Sequence, residues 1–176
     1  AVPAAAQDAL PDTAYVPGDY RVYTGAGEAA TLEDVIAAMA DHDVVFIGEA
    51  HDDPTGHRLE AELLAGAWEA YGGLPAEMGS AGGAEDASSR EVALSLEFFE
   101  RDVQLVLDEY LAGLITESAF RAASRPWPRY ETDYRPLIEY AKERGMDVVA
   151  ANAPRRYVTR VTRYGRESLA DLPPEA

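Results

Sequence analysis

Apolar positions along the chain follow two different spacings. Short, continuous apolar runs predict strands at about residues 20–23, 43–48, 91–99 and 146–151. Apolar residues spaced three or four apart predict helices at about residues 31–40, 57–71, 103–111, 116–123, 132–145 and 154–164. Thr31 suits a helix N-cap, and Gly145 and Gly165 are typical of helix ends. The pattern therefore predicts strands that alternate with helices.

This alternation is typical of a parallel sheet covered by helices. Residues 43–48 are apolar throughout, as expected of a strand buried on both faces of such a sheet. The sequence predicts an α/β fold, a parallel β-sheet flanked by helices, with a small helical subdomain at about 102–145 inserted between strands three and four. Residues 1–18 predict a flexible leader, residues 72–90 a glycine-rich loop, and residues 19–176 the α/β domain.

Composition and charge narrow the classes of function. The chain has 176 residues, which fits one domain, and it has no cysteine, which excludes disulfides and thiolate metal sites. Acidic residues number 32 against 15 basic ones, so the net charge of −17 argues against a nucleic-acid partner. No segment is apolar enough to span a bilayer. The small residues at the start, residues 1–7, resemble a signal-peptide cleavage site and predict export.

Acids and histidines follow the second and third predicted strands. Glu49 and His51 come directly after the second strand, and His57 lies six residues beyond His51. Glu97 is expected to face Glu49 and His51, because the carboxyl ends of parallel strands share one edge of a sheet. These side chains predict a divalent metal site or an acid–base site. Alternatively, the aspartates after His51 cap the next helix, and Glu97 pairs with an arginine.

Flat aromatic rings and guanidinium groups alternate between residues 125 and 136. Trp127, Arg129, Tyr130, Tyr134 and Arg135 form a mixture that suits a flat ligand bearing carboxylates, such as haem. A tyrosinate can bind ferric haem iron, and a neighbouring arginine would favour the tyrosine anion. The alternative is that these aromatic rings are ordinary core residues.

A pair of arginines follows the fourth predicted strand. Arg155 and Arg156 lie at the start of the last predicted helix, where an anion would be well placed. The alternative is that both are surface residues that balance an acidic neighbourhood.

Several segments together resemble the ChaN-like haem-binding proteins of the Tiki and erythromycin-esterase-like superfamily. They occur in the family's order: VVFIGEAHD at 44–52, LEFFERDVQ at 96–104, Trp127 followed by YRPL at 134–137, and AANAPR at 150–155. The resemblance implies an α/β fold, export, and a haem pocket completed by dimerisation. It also implies a tyrosine ligand for the haem iron, with Tyr134 as first choice and Tyr130 as second. Trp127, Arg129, Arg135 and Arg155 would then contact the haem.

The chain departs from the family in two respects. Members usually extend beyond the point where this sequence ends, so we expect it to be the N-terminal part of a longer domain. The sequence also has no cysteine for lipidation.

The leading hypothesis is a haem-binding protein that works in haem or iron uptake or handling and is not an enzyme. We expect it to form a homodimer and to lie in the periplasm or at the outer membrane. One alternative is a metal-dependent peptidase or esterase using Glu49, His51 and Glu97, with His57 as a further ligand. Another is an interaction domain whose acids and arginines lie only at the surface.

Overall fold

Residues 20–72 and 91–173 are described by the computed structural model of the chain. Contacts divide the chain into a first unit, residues 1–92 and 129–146, and a second unit, residues 93–128 and 147–176. The predicted leader and nearly all of the predicted glycine-rich loop lie outside the described residues. The two units divide the predicted helical excursion, since its first part belongs to the second unit and residues 129–145 belong to the first.

The elements alternate along the chain much as the spacing of apolar residues predicts. The strands are β1 (Val22–Tyr23), β2 (Ala29–Ala30), β3 (Leu94–Glu100) and β4 (Val148–Asn152), and the α-helices are α1 (Leu32–Ala38), α2 (Pro54–Tyr71), α3 (Gln104–Leu111), α4 (Glu117–Ser124), α5 (Arg135–Arg144) and α6 (Arg155–Tyr164). Short 3-10 turns lie at Met39–Asp41, Arg101–Val103 and Arg166–Asp171, and a π-helical turn lies at Tyr130–Tyr134. The predicted helices are confirmed, with ends shifted by up to three residues. None of the described helices combines the length and the hydrophobicity needed to cross a bilayer.

Among the described residues of the first unit, helices α2 and α5 carry most of the buried apolar side chains. Helix α5 buries Leu137, Ile138, Tyr140 and Ala141, and the Tyr140 hydroxyl lies 3.5 Å from the carbonyl oxygen of Ala65 in α2.

The spacing of apolar residues in α2 predicts a buried face made of Leu59, Leu63, Ala67 and Ala70. The observed buried face differs. It consists of His57, Ala61, Leu63 and Leu64, while Ala70 is exposed. The helix is therefore turned towards His57, and a polar side chain occupies part of its inner face.

The predicted strand at residues 43–48 is wrong. This segment is not a strand, and its side chains are exposed, with Val44 at 67% and Phe46 at 93%. A strand needs a hydrogen-bonded neighbour, and none of the strands within 20–72 and 91–173 pairs with this segment. The first predicted strand also differs, because β1 pairs antiparallel with β2 in a hairpin rather than joining a parallel sheet.

In the second unit, β3 and β4 form a parallel pair. Leu94 lies opposite Val148, Leu96 opposite Ala150, and an irregularity separates them from the pairing of Glu100 with Asn152. The prediction of a mixed α/β fold with parallel strands is thus confirmed in its coarse form, with two strands in the parallel sheet of the described residues.

Helix α3 is fixed beside β4 by the side chain of Gln104. Its amide nitrogen donates to the Val148 carbonyl, and its amide oxygen accepts from the Ala150 N–H, both at 2.8 Å. This side chain satisfies a donor and an acceptor of the strand as a neighbouring strand would. Beneath it, Phe120 stacks on Tyr110 at 4.6 Å and contacts Phe99 at 5.5 Å, forming the aromatic core of the second unit.

Candidate functional site

The segment that precedes α2 brings Glu49 and His51 close to the start of that helix. Asp53 is the N-cap of α2, and its side chain accepts a hydrogen bond from the Thr55 N–H at 2.9 Å. The alternative interpretation of the second aspartate as a helix cap is therefore confirmed. The cap leaves His57 in the first turn, and Glu60 follows three residues later on the same face.

His57 is the centre of a polar cluster in the first unit. Its Nδ1 atom lies 3.3 Å from Glu49 Oε2 and 3.2 Å from Glu60 Oε2. Its Nε2 atom lies 3.3 Å from the His51 carbonyl oxygen and 3.5 Å from Asp133 Oδ2. The His57 side chain is only 4% exposed, so both ring nitrogens face protein groups. One nitrogen faces two carboxylates, and the other has acceptors that can fix its proton.

Tyr134 closes the cluster from the π-helical turn. Its hydroxyl donates to Glu49 Oε1 at 2.6 Å, and its ring packs edge-on against His57 with the centroids 5.0 Å apart. Beside it, Asp133 forms an ion pair with Arg129, with 2.8 Å between Oδ2 and Nε. The π-helical turn thus supplies a phenol and a carboxylate to the same cluster.

The carboxylates of Glu49 and Glu60 have opposite pKa shifts. Burial and the neighbouring Glu49 carboxylate raise the pKa of Glu60 to about 7, although His57 opposes this rise. Burial would also raise the pKa of Glu49, but hydrogen bonds from Tyr134 and His51 outweigh it, and the pKa is lowered. At neutral pH, Glu49 is therefore ionised, while Glu60 holds a proton in a large share of molecules.

The two rings of the cluster are also shifted. Burial alone would lower the pKa of His57, but hydrogen bonds to the His51 carbonyl and Glu60 raise it. Burial, reinforced by the hydrogen bond to Glu49, raises the pKa of Tyr134 well above its ordinary value. The phenol of Tyr134 therefore keeps its proton at neutral pH in this arrangement.

The arginines expected to favour a tyrosine anion contact carboxylates. Arg129 pairs with Asp133, and Arg135 Nε lies 3.7 Å from Glu131 Oε2. Tyr130, the second candidate ligand, is buried at 2% exposure. The roles of Arg129, Arg135 and Tyr130 in haem binding stay predictions.

The predicted metal-site residues are only partly assembled. His51 Nδ1 lies 2.5 Å from Glu49 Oε1, but the His51 side chain is 62% exposed. Glu97 lies in the second unit, exposed on β3, so its predicted place beside Glu49 stays a prediction. Glu49, His57 and Glu60 each offer a ligand atom, and these atoms lie within 4.8 Å of one another.

Sequence reasoning missed Glu60 and Asp133. Glu60 carried a usable signal, because a carboxylate three residues after a histidine shares its helical face. Asp133 carried a weaker one as the neighbour of Tyr134, since only the π-helical turn brings both side chains into the cluster.

In the second unit, Trp127 and Arg155 line one cavity of about 360 Å³, together with Arg125 and Asn152. Two of the predicted haem-contacting residues are therefore brought together here. The walls combine an indole ring with guanidinium groups, a composition suited to a flat ligand bearing a carboxylate.

Comparisons with known proteins give one extensive match. A family model described as haem-binding uptake, Tiki superfamily, ChaN matches residues 35–176. Among curated proteins, the chain is similar to Protein RETICULATA-RELATED 5, chloroplastic, from Arabidopsis thaliana, at 27% identity over 86 residues. That similarity covers 48% of this chain, which spans only 12% of the plant protein. No solved structure matches the chain.

Proposed function

We propose a function from one premise, which is that this chain belongs to the ChaN family of haem-binding uptake proteins in the Tiki superfamily. The match covers residues 35–176 and so includes both the polar cluster and the cavity. We infer that the protein binds haem and takes part in haem uptake or handling at the cell envelope. The observation that carries this proposal is the extent of the family match.

The oxygen of Tyr134 is our candidate for the ligand of the haem iron. Ferric haem, when bound, supplies a Lewis-acidic iron for which a phenolate oxygen is a known partner. Tyr134 keeps its proton in the arrangement described, so iron binding would have to displace that proton, and Glu49, at 2.6 Å from the hydroxyl, is the acceptor nearest to it. Tyr134 is also buried, at 4% exposure. A ligand that reaches this oxygen must therefore displace the Glu49 hydrogen bond.

Titration with hemin tests both the function and the ligand. We expect the protein to shift the Soret band of hemin and to give the visible bands of a ferric tyrosinate. Tyr134→Phe should abolish those visible bands, because it removes the oxygen and leaves the ring. Tyr130→Phe is the matched control, since Tyr130 is buried in the same π-helical turn.

The outcomes separate the two parts of the proposal. If hemin gives no spectral change with the parent protein, haem binding is wrong. If the tyrosinate bands survive Tyr134→Phe and disappear in Tyr130→Phe, the second candidate is the ligand. Circular dichroism of each variant shows whether the fold is retained.

We further propose that the protein is exported, acts in the periplasm or at the outer membrane, and forms a homodimer when it binds haem. The support is the family description, because an uptake protein must meet haem outside the cytoplasm. Fractionation of cells expressing the full-length protein would locate it. Sedimentation with and without hemin would contradict the dimer if the mass stayed that of one chain.

A divalent metal site is the second candidate, favoured by the geometry around His57. Ligands at about 2.0–2.2 Å from a tetrahedral zinc ion lie roughly 3.3 Å apart. The 3.2 and 3.3 Å distances from His57 Nδ1 to the two carboxylates are close to that spacing. The other ring nitrogen, Nε2, faces the His51 carbonyl and Asp133. In metal-bound histidines the second ring nitrogen usually donates to such a carbonyl or carboxylate. Such a site would suit a metal-dependent peptidase or esterase.

Thermal unfolding with added metal tests this candidate. After chelation, Zn²⁺ at about 100 times its Kd should stabilise the protein by roughly 2.7 kcal/mol. Glu60→Gln should remove most of that gain, while His51→Ala should keep it, because His51 is largely exposed. If His51→Ala loses the stabilisation by Zn²⁺, the ligand set expected from the sequence is favoured instead. If no divalent ion raises the Tm of the parent protein, the site is excluded.

A further inference from the structure

The cavity of the second unit lies where three chain segments meet. Glu100 comes from the end of β3, Arg125 and Trp127 come from the segment after α4, and Asn152 and Arg155 come from the end of β4 and the start of α6. Its volume of about 360 Å³ lies within the range of small-molecule sites. All of these residues belong to the second unit, so the cavity is complete within it.

Most charges around the cavity are already paired. Glu100 Oε2 accepts from the Arg155 backbone N–H at 3.0 Å and lies 3.3 Å from an Arg125 nitrogen. Arg125 also donates to Asp102 at 2.7 Å, and Arg156 pairs with the same carboxylate. These contacts fix the backbone at the start of α6 and hold the guanidinium of Arg125, one of the two arginines in the wall.

Two polar side chains of the wall have no partner within residues 20–72 and 91–173. The guanidinium of Arg155 has no ion pair there, and the amide of Asn152 has no hydrogen bond there. A guanidinium and an amide together offer the donors that a carboxylate accepts. The cavity therefore has room and donors for one carboxylate group.

Other residues of the wall are apolar. Trp127 contacts Phe98 with the ring centroids 5.4 Å apart and the planes 69° apart, an edge-to-face arrangement that holds the indole in place. Val158, 41% exposed, adds aliphatic surface to the same cavity. A ligand with a flat apolar body and a carboxylate on a short arm would contact the apolar residues with its ring and the Arg155 and Asn152 side chains with its carboxylate.

We propose that this cavity binds the propionate-bearing edge of the tetrapyrrole, so that the protein recognises the porphyrin even without its iron. This inference rests on the proposed haem-binding function and deepens it. Trp127 suits a flat ring, and the Arg155 guanidinium and Asn152 amide suit a carboxylate, while the Glu100 carboxylate is held by Arg125 and the Arg155 N–H. A ring and carboxylates are both present in iron-free protoporphyrin.

Titration of the full chain with protoporphyrin IX and with hemin tests the inference. Both should bind, with protoporphyrin followed by its own absorption and by quenching of tryptophan fluorescence. Arg155→Gln should weaken protoporphyrin binding by roughly tenfold to a hundredfold, the usual effect of one charge-assisted hydrogen bond. Arg163→Gln is the matched control, because Arg163 is exposed on the same helix and is not part of the cavity wall.

A second ligand isolates the carboxylate. Protoporphyrin dimethyl ester keeps the ring and loses both negative charges, so it should bind more weakly than the acid. Its affinity should be the same for the parent protein and for Arg155→Gln.

Three results would overturn the inference. If hemin binds and protoporphyrin does not, iron is required and the proposed function stands without this site. If protoporphyrin binds equally well to the parent, Arg155→Gln and Arg163→Gln, the cavity is not its site. If neither porphyrin binds, the proposed function fails as well.

Discussion

Glu60→Gln is the change that best tests the electrostatics of the polar cluster. It keeps the shape of the side chain but removes the charge that Glu60 acquires beside Glu49 as the pH rises. Because folding raises the pKa of Glu60 to about 7, the folded state holds this proton more tightly than the unfolded state. The contribution of Glu60 to stability is therefore complete below about pH 4.5 and is lost as the pH rises through 7.

The structure sets the size of that loss. A pKa of about 7 against an ordinary value of 4.5 corresponds to roughly 3 kcal/mol between the two limits. The Glu60 side chain keeps 13% exposure, and water screens part of the repulsion from Glu49. We therefore expect the parent protein to lose about 1 to 2 kcal/mol more stability than Glu60→Gln does between pH 4.5 and 8.

Urea unfolding at several pH values, with a chelator present, measures this difference. Glu62→Gln is the matched control, because Glu62 lies on the same helix but is 36% exposed, with its Oε1 3.6 Å from Arg58 Nε. This control should follow the parent protein within a few tenths of a kcal/mol at every pH. If Glu60→Gln and the parent have parallel stability curves from pH 4.5 to 8, the rise in the pKa of Glu60 that burial and the Glu49 carboxylate cause is wrong.

Three further predictions concern the fold. Ile138→Ala should lower the free energy of unfolding by about 2–5 kcal/mol, because Ile138 is fully buried; a loss below 1 kcal/mol in urea would mean that α5 is loosely packed. Gly145→Ala should cost about 1 kcal/mol, because this residue ends α5 with φ of 64°, and an unchanged Tm would contradict that backbone conformation. Asp102→Asn should cost no more than about 1 kcal/mol, since its partners Arg125 and Arg156 are over half exposed. That cost should shrink in high salt, and a salt-independent loss would indicate a buried role instead.

The helices were predictable because their signals are local. Thr31 caps α1 with a hydrogen bond from the Asp34 N–H at 3.2 Å, and Gly145 adopts the left-handed conformation that ends α5. Both effects depend on residues within one turn of the chain. A parallel sheet was also predicted, because apolar runs alternate with helices, and β3 and β4 do pair in parallel.

The segment at 43–48 and the polar cluster were not predictable in the same way. An apolar run indicates a strand only if a neighbouring strand supplies its hydrogen bonds, and that depends on distant parts of the chain. The role of Glu60 depends on which face of α2 turns inward, and apolar spacing favoured the face marked by Leu59 and Ala67. The hydrogen bond between Tyr134 and Glu49 joins residues 85 positions apart. Such contacts arise from tertiary structure, which a single sequence does not specify by pattern alone.

The exposed apolar segment Val44–Ile47 has a consequence for the behaviour of the protein in solution. Four uncharged residues of high β-propensity lie at the surface. The backbone of this segment can pair with the same segment of another copy. Asp43 and Glu49 flank them, and the net charge of −17 keeps copies apart in dilute buffer. Added salt shortens the range of this repulsion to less than 10 Å above about 0.1 M. Raising the ionic strength is therefore expected to favour association of chains through this segment.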